Sequence, residues 1–303
     1  MRADKEIIEF AKELFLTPDE NGNHKYSFRK IATELQRHFN INIHSTSLNY
    51  KYKSEVDNLL EINKIYNMDC LEGMEYIDDK SIDMILCDLP YGKTKCKWDI
   101  VIPFEPLWEQ YERIIKDNGA IVLFGSQPFT SQLINSNLKL FKYCLVWEKE
   151  RPSNPALAKN QFMKWHEDIC IFGKNKTKFN PQMEIRKEKN KRNNKLGITH
   201  NSDVYGNFKL QQGNGMADFK YPSSVLKFNV QRGLHPTQKP VALFEYLIKT
   251  YTQPGEIVLD NCIGSGTTAI ACINTNRNFI GFELDKHYCD IATKRIENHT
   301  QQL

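Results

Sequence analysis

The sequence predicts an α/β fold with a mostly parallel sheet, preceded by a small helical unit. From Ile65 onward, short apolar runs alternate with segments of helical periodicity, which is the pattern of parallel strands joined by crossover helices. Two of these runs end in an acidic residue and a turn, and open α/β sheets bind ligands at the carboxyl ends of their strands. The 303 residues are enough for about two domains.

Short apolar runs mark the predicted strands, and amphipathic segments mark the predicted helices. The strands are predicted at 82–87, 120–124, 143–147, 168–172, 257–259 and 279–282. The helices are predicted near 104–116, 128–136, 240–251 and 266–275. Residues 61–303, which hold all of these elements, form the larger predicted domain.

Residues 1–60 are predicted to form a separate helical unit. Apolar residues recur at helical spacing around Leu14 and again around Leu35, and Ser45 precedes a third segment. This order resembles a helix-turn-helix DNA-binding unit, and residues 24–53 carry six Lys and Arg against one Glu. A three-helix packing or dimerisation unit fits the same pattern equally well.

The composition excludes several classes of protein. With 40% hydrophobic and 26% charged residues, the chain is typical of a folded globular protein and not of a disordered one. No apolar run is long enough to span a membrane, and the charged start lacks the apolar region of a signal peptide, so we expect a cytoplasmic location without membrane contact. The eight cysteines include no C-x-x-C pair, which argues against a zinc ribbon and a disulfide scaffold, and we predict no metal site.

Positive charge is concentrated in one segment of the chain. The net charge is only +4, but residues 174–234 contain 13 Lys and Arg against 4 Asp and Glu, a surplus of 9. A solvated surface loop would have this composition. The same side chains are also those that contact phosphates and read bases, so charge alone leaves both interpretations open.

A glycine-rich turn follows the strand predicted at 257–259. Asp260 ends this apolar run, and the segment Gly264-Ser265-Gly266 then leads into a predicted helix. Glycines let a backbone approach a ligand closely, and Glu283, at the tip of the next predicted strand, can accept hydrogen bonds from ribose hydroxyls. Because the spacing is not G-x-G-x-x-G, we predict an adenosine-bearing cofactor other than a nicotinamide dinucleotide. A plain strand-to-helix turn is the alternative.

A second motif, Asp88-Leu89-Pro90-Tyr91, follows the apolar residues 85–87 at the end of the strand predicted at 82–87. The Asp88 carboxylate and the Leu89 carbonyl can accept the two hydrogens of an exocyclic amine, and Tyr91 can stack on the base that carries it. The motif therefore suits a flat base with an amino group. The alternative is a strand that leads into a turn with a buried tyrosine.

Together these motifs resemble the β-class amino-methyltransferases, which methylate adenine N6 or cytosine N4 with S-adenosylmethionine. The D-L-P-Y motif, the basic segment, the segment His235-Pro-Thr-Gln-Lys-Pro240 and the glycine turn follow the order of that class from about residue 62 to 297. Stretches around Asp69, Lys149 and Glu167 are also similar to this class. Leu89 replaces the first proline of the common D-P-P-Y motif, and Asn261-Cys262 replaces Pro-Phe.

The resemblance implies a Rossmann-like fold with a target-recognition insert at about 174–234, and it assigns a role to each matching residue. The implied catalytic residues are Asp88, Leu89, Pro90 and Tyr91. The implied cofactor-binding residues are Asp69, Cys70, His235, Thr237, Gln238, Lys239, Asp260, Gly264, Ser265, Gly266, Thr267 and Glu283. Contacts with DNA phosphates are expected from Arg186, Lys187, Lys189, Lys191, Arg192 and Lys195.

The resemblance implies a site-specific DNA adenine-N6 methyltransferase in which the amine nitrogen of a flipped base attacks the sulfonium methyl in line. Asp, and not Ser, at position 88 is more similar to the adenine-N6 members. Duplex DNA is the expected partner, and a homodimer and a cognate restriction endonuclease are further candidates. A cytosine-N4 enzyme, an RNA adenine methyltransferase and a DNA-binding regulator with a degenerate methyltransferase domain remain alternatives.

Overall fold

The computed structural model describes most of the chain after residue 60 and six positions before it. The described residues are 10, 13–14, 34–35, 37, 60–92, 99–153, 155, 158–186, 199–202, 206–209, 218–231, 233 and 238–302. The helical unit predicted at 1–60 therefore lies almost entirely outside the described residues, although Leu14 and Leu35 are helical. No helix among the described residues is long and apolar enough to cross a membrane.

Eight of the described strands form one sheet. In chain order the strands are β1 (Lys64–Asn67), β2 (Ile82–Cys87), β3 (Ile115–Gly125), β4 (Phe141–Ser153), β5 (Lys164–Phe172), β6 (Glu184–Ile185), β7 (Thr199–Ser202), β8 (Gly206–Lys209), β9 (Phe219–Lys220), β10 (Val225–Lys227), β11 (Ile257–Asp260) and β12 (Asn278–Glu283). The order in the large sheet is β1-β12-β11-β2-β3-β5-β4-β10. Neighbouring strands are parallel, except that β5 is antiparallel to both β3 and β4. The prediction of a mostly parallel sheet is confirmed.

Six helices are described after residue 60. They are α1 (Cys70–Met74), α2 (Phe104–Ile114), α3 (Phe129–Ser136), α4 (Val241–Tyr251), α5 (Thr267–Asn274) and α6 (Lys286–Thr300). The four predicted helices correspond to α2 to α5, and their boundaries agree within two residues. The sequence patterns missed α1 and α6. Both missed helices begin at an aspartate cap, since Asp69 and Asp285 each accept two backbone N–H groups.

Helices cover both faces of the sheet. Alternate residues of β2 point to opposite sides, so that Ile85 belongs to one buried cluster and Leu86 to the other. The first cluster includes Trp108 of α2 and Leu133 of α3, and the second includes Leu247 of α4. Every residue of β2 is consequently buried, and all are apolar except Asp83, which forms ion pairs with two lysines.

Three strands extend more than two residues beyond their predicted bounds, and one of them, β5, begins at Lys164 and not at residue 168. β3 begins at Ile115, directly after α2, and not at residue 120, because the turn-like sequence Asp117-Asn-Gly119 is accommodated by a shift in its pairing with β2. β4 continues to Ser153, beyond the predicted end at residue 147. The predicted insert at 174–234 also contains β10, which pairs with β4 in the large sheet, whereas β6 pairs with β9 and β7 with β8 in two small sheets.

The strand order brings four acidic residues to one edge of the sheet. β1, β12, β11 and β2 are neighbours and parallel, so their carboxyl ends meet at the same edge. Asp69, Glu283, Asp260 and Asp88 lie at or just after these four ends. Neighbouring strands are about 4.8 Å apart, so the row from Asp69 to Asp88 spans about 14 Å.

Candidate active site

Asp88 lies directly after the carboxyl end of β2, and Tyr91 folds back onto it. The Tyr91 hydroxyl donates to Asp88 Oδ1 at 2.6 Å, and the Tyr91 ring packs against Phe129 with 4.9 Å between the ring centroids. Burial raises the pKa of Tyr91 well above its ordinary value, so the hydroxyl remains a donor at neutral pH. The Leu89 side chain lies in the core. Among the described residues, none donates a hydrogen bond to the Leu89 carbonyl oxygen. This carbonyl can accept a hydrogen bond from a ligand.

A buried ammonium group joins Asp88 to a second carboxylate. Lys239 Nζ forms an ion pair with Asp88 Oδ2 and lies 3.4 Å from Glu167 Oε2. Glu167 Oε1 in turn pairs with Lys149 Nζ. The two lysine side chains are each only 8% exposed, so their charges are removed from water and need these partners.

The four groups form an alternating chain of charge, Lys149 to Glu167 to Lys239 to Asp88. Burial alone would raise the pKa of Glu167, but the two lysines outweigh it and lower the pKa to about 2. Burial likewise favours the neutral form of Lys239, but Asp88 and Glu167 together raise its pKa. Glu167 and Lys239 are therefore both charged at neutral pH.

The sequence patterns assign no role to two of these site residues, Glu167 and Lys149. Each belongs only to a stretch that is similar to the β-class amino-methyltransferases. The available signal was a charged residue next to an apolar run, since Glu167 precedes the buried part of β5. His166, its neighbour, is exposed, and Asp168 accepts from the Thr130 hydroxyl at 2.7 Å.

The glycine turn after β11 is tied to the tip of β12. Gly264 donates its backbone N–H to Glu283 Oε2 at 2.8 Å, and Asp285 donates to Glu283 Oε1 at 2.9 Å. Gly264 and Gly266 have positive φ angles of +53° and +82°, which side chains rarely adopt. A Cβ on Gly264 would meet no atom within 4 Å, whereas one on Gly266 would lie 3.1 Å from the Cβ of Ala292 in α6. Gly264 therefore faces open space.

Asp260 holds the turn from the inside. Its Oδ1 accepts from the Cys262 N–H at 3.1 Å, and its Oδ2 accepts from the Thr268 hydroxyl. Asp260 is 4% exposed, and this burial raises its pKa to about 7 in spite of both hydrogen bonds. Asp260 is one of the predicted cofactor-binding residues, but both of its carboxylate oxygens accept hydrogen bonds from the turn and from the helix that follows it.

Two further contacts connect the turn with its surroundings. Arg295 of α6 donates to the Ser265 carbonyl at 2.9 Å, and the Thr267 hydroxyl donates to the backbone carbonyl of Lys239 at 3.4 Å. Ser265 and Thr267 are both buried. Through Thr267, the turn is linked directly to the segment that supplies the ammonium at Asp88.

Asp69 and Cys70 follow β1 but face different surroundings. Asp69 is exposed, and its Oδ1 caps α1 by accepting from Leu71 N–H at 2.8 Å and Glu72 N–H at 3.2 Å. The Cys70 thiol is buried and accepts from the side chain of Asn261 at 3.6 Å.

The departure from Pro-Phe at Asn261-Cys262 has a structural counterpart. Asn261 is 2% exposed, and its Oδ1 accepts from the Tyr111 hydroxyl at 2.5 Å. Its Nδ2 contacts the thiols of Cys70 and Cys262, both at 3.6 Å. Asn261 therefore joins α1, α2 and the glycine turn behind the site.

Some predicted site residues cannot be placed. His235, Thr237, Lys187, Lys189, Lys191, Arg192 and Lys195 lie outside the described residues. Gln238 is buried next to Lys239. Arg186 is half-buried, and its side chain donates to the Phe219 carbonyl at 2.8 Å. The part of the chain that the structure describes contains no group of three or more His, Cys, Asp or Glu residues that could hold a metal ion.

The residues at the sheet edge fit an adenosine-bearing cofactor with an acidic end. The open side of Gly264 provides room for close approach to the backbone. Glu283 supplies carboxylate oxygens, each with a lone pair left for a ribose hydroxyl, and Lys239 supplies a cation for a carboxylate. Donors and acceptors of the expected kinds thus lie on adjacent strand ends.

Comparisons with known proteins agree with this arrangement. Over 255 residues the chain is 29% identical to the Type II methyltransferase M1.MboII from Moraxella bovis, which covers 77% of this chain and 96% of that protein. The crystal structure of the M1.HpyAVI-SAM complex matches with a TM-score of 0.52 at 28% identity, over 77% of this chain and 98% of the other.

A cytosine-N4-specific enzyme has the same fold. The structure of the PvuII DNA methyltransferase matches with a TM-score of 0.55 at 15% identity, over 78% of this chain and 89% of the other. The sequence profile of the N6/N4 methyltransferases, described as DNA methylase, matches residues 82–294, which include Asp88, Lys239 and Glu283. The chain therefore belongs to the N6/N4 DNA methylase family.

Proposed function

We propose that this DNA methylase transfers a methyl group from S-adenosylmethionine to the N6 amine of adenine in duplex DNA. The observation that carries the proposal is the position of Asp88. It lies at the carboxyl end of β2, next to the strand β11 whose end carries the open glycine turn. An acceptor for an amine and a cradle for a cofactor are thus neighbours at one edge of the sheet.

The chemistry requires an amine that has been made nucleophilic. An exocyclic amine shares its lone pair with the ring, and hydrogen bonds to both of its hydrogens localise that pair on nitrogen. Asp88 and the Leu89 carbonyl accept these two hydrogens, and Tyr91 holds the flipped base. S-adenosylmethionine, when bound, supplies a methyl group on a sulfonium centre. The amine proton leaves to solvent after the transfer, so Asp88 need not be a strong base.

The predicted cofactor contacts distribute along the row of strand ends. Glu283 binds the ribose hydroxyls, Asp69 binds the adenine amine, and Gly264 to Gly266 line the approach to the methyl group. Lys239, with Thr237, faces the methionine carboxylate. Since Lys239 already pairs with Asp88, this lysine connects the cofactor site with the base site.

Adenine is favoured over cytosine by the identity of residue 88. A carboxylate at the first position of the D-L-P-Y motif is more similar to the adenine-N6 members than the serine of cytosine-N4 members. The Asp88 carboxylate is also held in place from both sides, by Tyr91 on Oδ1 and by Lys239 on Oδ2. Cytosine N4 is the alternative target.

The remaining proposals concern macromolecular partners. The basic segment at 174–234 contacts duplex DNA, with Arg186 and the lysines and arginine up to Lys195 on the phosphates. Residues 1–60 form either a DNA-binding or a packing unit. A homodimer and a restriction endonuclease of the same system are further proposed partners, by analogy with Type II relatives.

The direct test is transfer of radiolabelled methyl from S-adenosylmethionine to unmethylated plasmid DNA and, in parallel, to total RNA. The labelled nucleoside is then identified by mass spectrometry. We expect N6-methyladenine in DNA alone. N4-methylcytosine would contradict the choice of adenine, and label only in RNA would contradict DNA as the substrate. No label in either would support the alternative of a DNA-binding regulator with a degenerate methyltransferase domain.

A further inference from the structure

Strands β4 and β5 extend past the end of β3 at the sheet edge that carries Asp88. β3 ends at Gly125, opposite Asp168, whereas the pairing of β4 with β5 continues to Ser153 opposite Lys164. We call the described residues 149–153 and 158–166 the β4–β5 arm. Because Lys149 and the adjoining Glu167 belong to the charge network of Asp88, the arm begins at the candidate active site.

The β4–β5 arm exposes three apolar side chains close together. Phe162 is 99% exposed, and Met163 and Trp165 are 37% and 47% exposed. Single exposed apolar residues are ordinary, but a contiguous group marks an interaction surface. Five residues of chain reach at most about 17 Å, so Phe162 lies within that distance of Glu167.

Basic side chains outnumber acidic ones in the arm, whose one acidic residue, Glu150, accepts from the Val230 N–H. Residues 151–166 include Arg151, Lys159 and Lys164 but no Asp or Glu. Basic side chains interleaved with exposed aromatic rings are the composition that binds nucleic acid, since the cations contact phosphates and the rings stack on bases. The charge of the arm is therefore complementary to DNA.

We propose that the β4–β5 arm contacts duplex DNA and that Phe162 enters the base stack where the target base leaves it. This inference rests on the proposed function, because methylation of a base amine requires a base outside the duplex. Apolar side chains inserted between base steps are a known way to unstack them. Phe162 is then a positioning residue, and Lys159 and Arg151 contact phosphates beside it.

The test uses the full chain and two duplexes that carry the mapped target base, either paired or opposite an abasic position. In Phe162→Ala we expect single-turnover methyl transfer to fall by roughly ten- to a hundredfold on the paired duplex. On the second duplex the fall is much smaller, because no base pair has to be broken. Phe162→Leu keeps an apolar wedge and restores most of the rate.

Leu138→Ala is the matched control. Leu138 is 63% exposed and lies just before β4, at the opposite edge of the sheet, so its truncation changes neither rate. A Phe162→Ala rate equal to wild type on the paired duplex, or equal losses on both duplexes, would overturn the wedge. Failure of the wild type to label any DNA would instead contradict the proposed function itself.

Discussion

Lys239 pairs with two carboxylates at once, because its ammonium contacts Asp88 and also lies 3.4 Å from Glu167. The Asp88 carboxylate therefore shares its counterion with a residue on another strand. An anion that pulls the Lys239 ammonium away from Asp88 weakens this ion pair. The Asp88 carboxylate is then a stronger hydrogen-bond acceptor for the amine proposed to bind there. The strength of Asp88 as an acceptor thus depends on Glu167 and on the occupant of the cofactor site.

Asp88→Asn should lower the rate of methyl transfer by about a hundredfold or more. A neutral amide oxygen is a weaker hydrogen-bond acceptor than a carboxylate, so it localises the lone pair on the amine nitrogen less. Radiolabelled transfer measures the rate, and equilibrium dialysis measures cofactor affinity, which we expect to change little. Asp117→Asn, at an exposed ion pair with Lys80, serves as the control. Joint loss of transfer and cofactor binding would indicate a structural role for Asp88.

Glu167→Gln should lower stability in a way that depends on pH. The pKa of Glu167 is about 2 in the folded protein and about 4.3 in an unfolded chain, so its charge stabilises the fold above about pH 4.3. This contribution, about 3 kcal/mol, is lost as the pH falls through 2. The difference in melting temperature between wild type and variant should therefore be largest at pH 7 and shrink as the pH falls from about 4.3 through 2.

Glu184→Gln provides the comparison for that titration. Glu184 pairs with Lys220 at 2.6 Å, but both side chains are more than 40% exposed. Exposed pairs contribute less than about 1 kcal/mol, so this variant should melt within a few degrees of wild type. A Glu167→Gln curve that ran parallel to the wild type at every pH would contradict the proposed charge network.

Thr268→Val should destabilise the fold more at high pH than at low pH. The Thr268 hydroxyl donates to Asp260, whose pKa is raised to about 7, so the carboxylate is protonated at pH 5.5 and ionised at pH 8.5. A donor to a charged group contributes about 1.5–3 kcal/mol, roughly twice a neutral one. In the wild type itself, the raised pKa means that stability falls as the pH rises toward 7.

Thr275→Val is the matched control for urea unfolding at the two pH values. The Thr275 hydroxyl is also buried, but it donates to the Ala271 carbonyl of its own helix at 2.7 Å. The loss of unfolding free energy in Thr275→Val should therefore be the same at both pH values. Equal pH dependence in both variants would remove Asp260 as the cause.

Gly266→Ala should destabilise the protein more than Gly255→Ala does. Both glycines have a φ of +82°, so alanine meets the same backbone strain of about 1–2 kcal/mol at either position. Only at Gly266 does the new Cβ also approach Ala292, at 3.1 Å. The difference between the losses of unfolding free energy in the two variants measures how tightly α6 packs on the turn. Equal losses would show that α6 shifts to make room for the new Cβ at Gly266.

Replacement of Arg186 and Lys187 by Gln should weaken DNA binding and reduce its salt dependence. Each phosphate contact releases counterions, so the slope of log affinity against log salt should fall by about one per lost contact. Fluorescence anisotropy with a labelled duplex measures the slope. The control Lys80→Gln, at the amino end of β2, should leave the slope unchanged. An unaltered slope in the Arg186/Lys187 double variant would exclude these two residues from the DNA interface.

The sequence patterns predicted the centre of the fold well. The last four residues of β2 form an uninterrupted apolar run before Asp88, and the glycines after β11 mark a turn in which Gly264 and Gly266 have positive φ angles. These features are local, so neighbouring residues determine them. Local patterns also explain why the boundaries of α2 to α5 agree with prediction.

What the patterns missed depends on contacts between distant segments. Of the described residues of α6, only Cys289 and Ala292 are buried, so the apolar face of the helix is too narrow to give a clear helical periodicity. The charge chain joins Lys149, Glu167, Lys239 and Asp88, which have no common spacing in sequence. The order of β2, β3, β5 and β4 in the sheet brings Asp88, Glu167 and Lys149 to one end of it, and Lys239 reaches them from the segment before α4.

The two small sheets, β6 with β9 and β7 with β8, make no ladder with the eight-stranded sheet among the described residues. Residues can be exchanged, inserted or removed there while the backbone pairing that aligns Asp88 with the glycine turn remains intact. Under the proposed role of this segment in target recognition, selection for a new target sequence is separated from selection for turnover. A lineage that exchanges the segment by recombination would then acquire a different specificity and keep its chemistry.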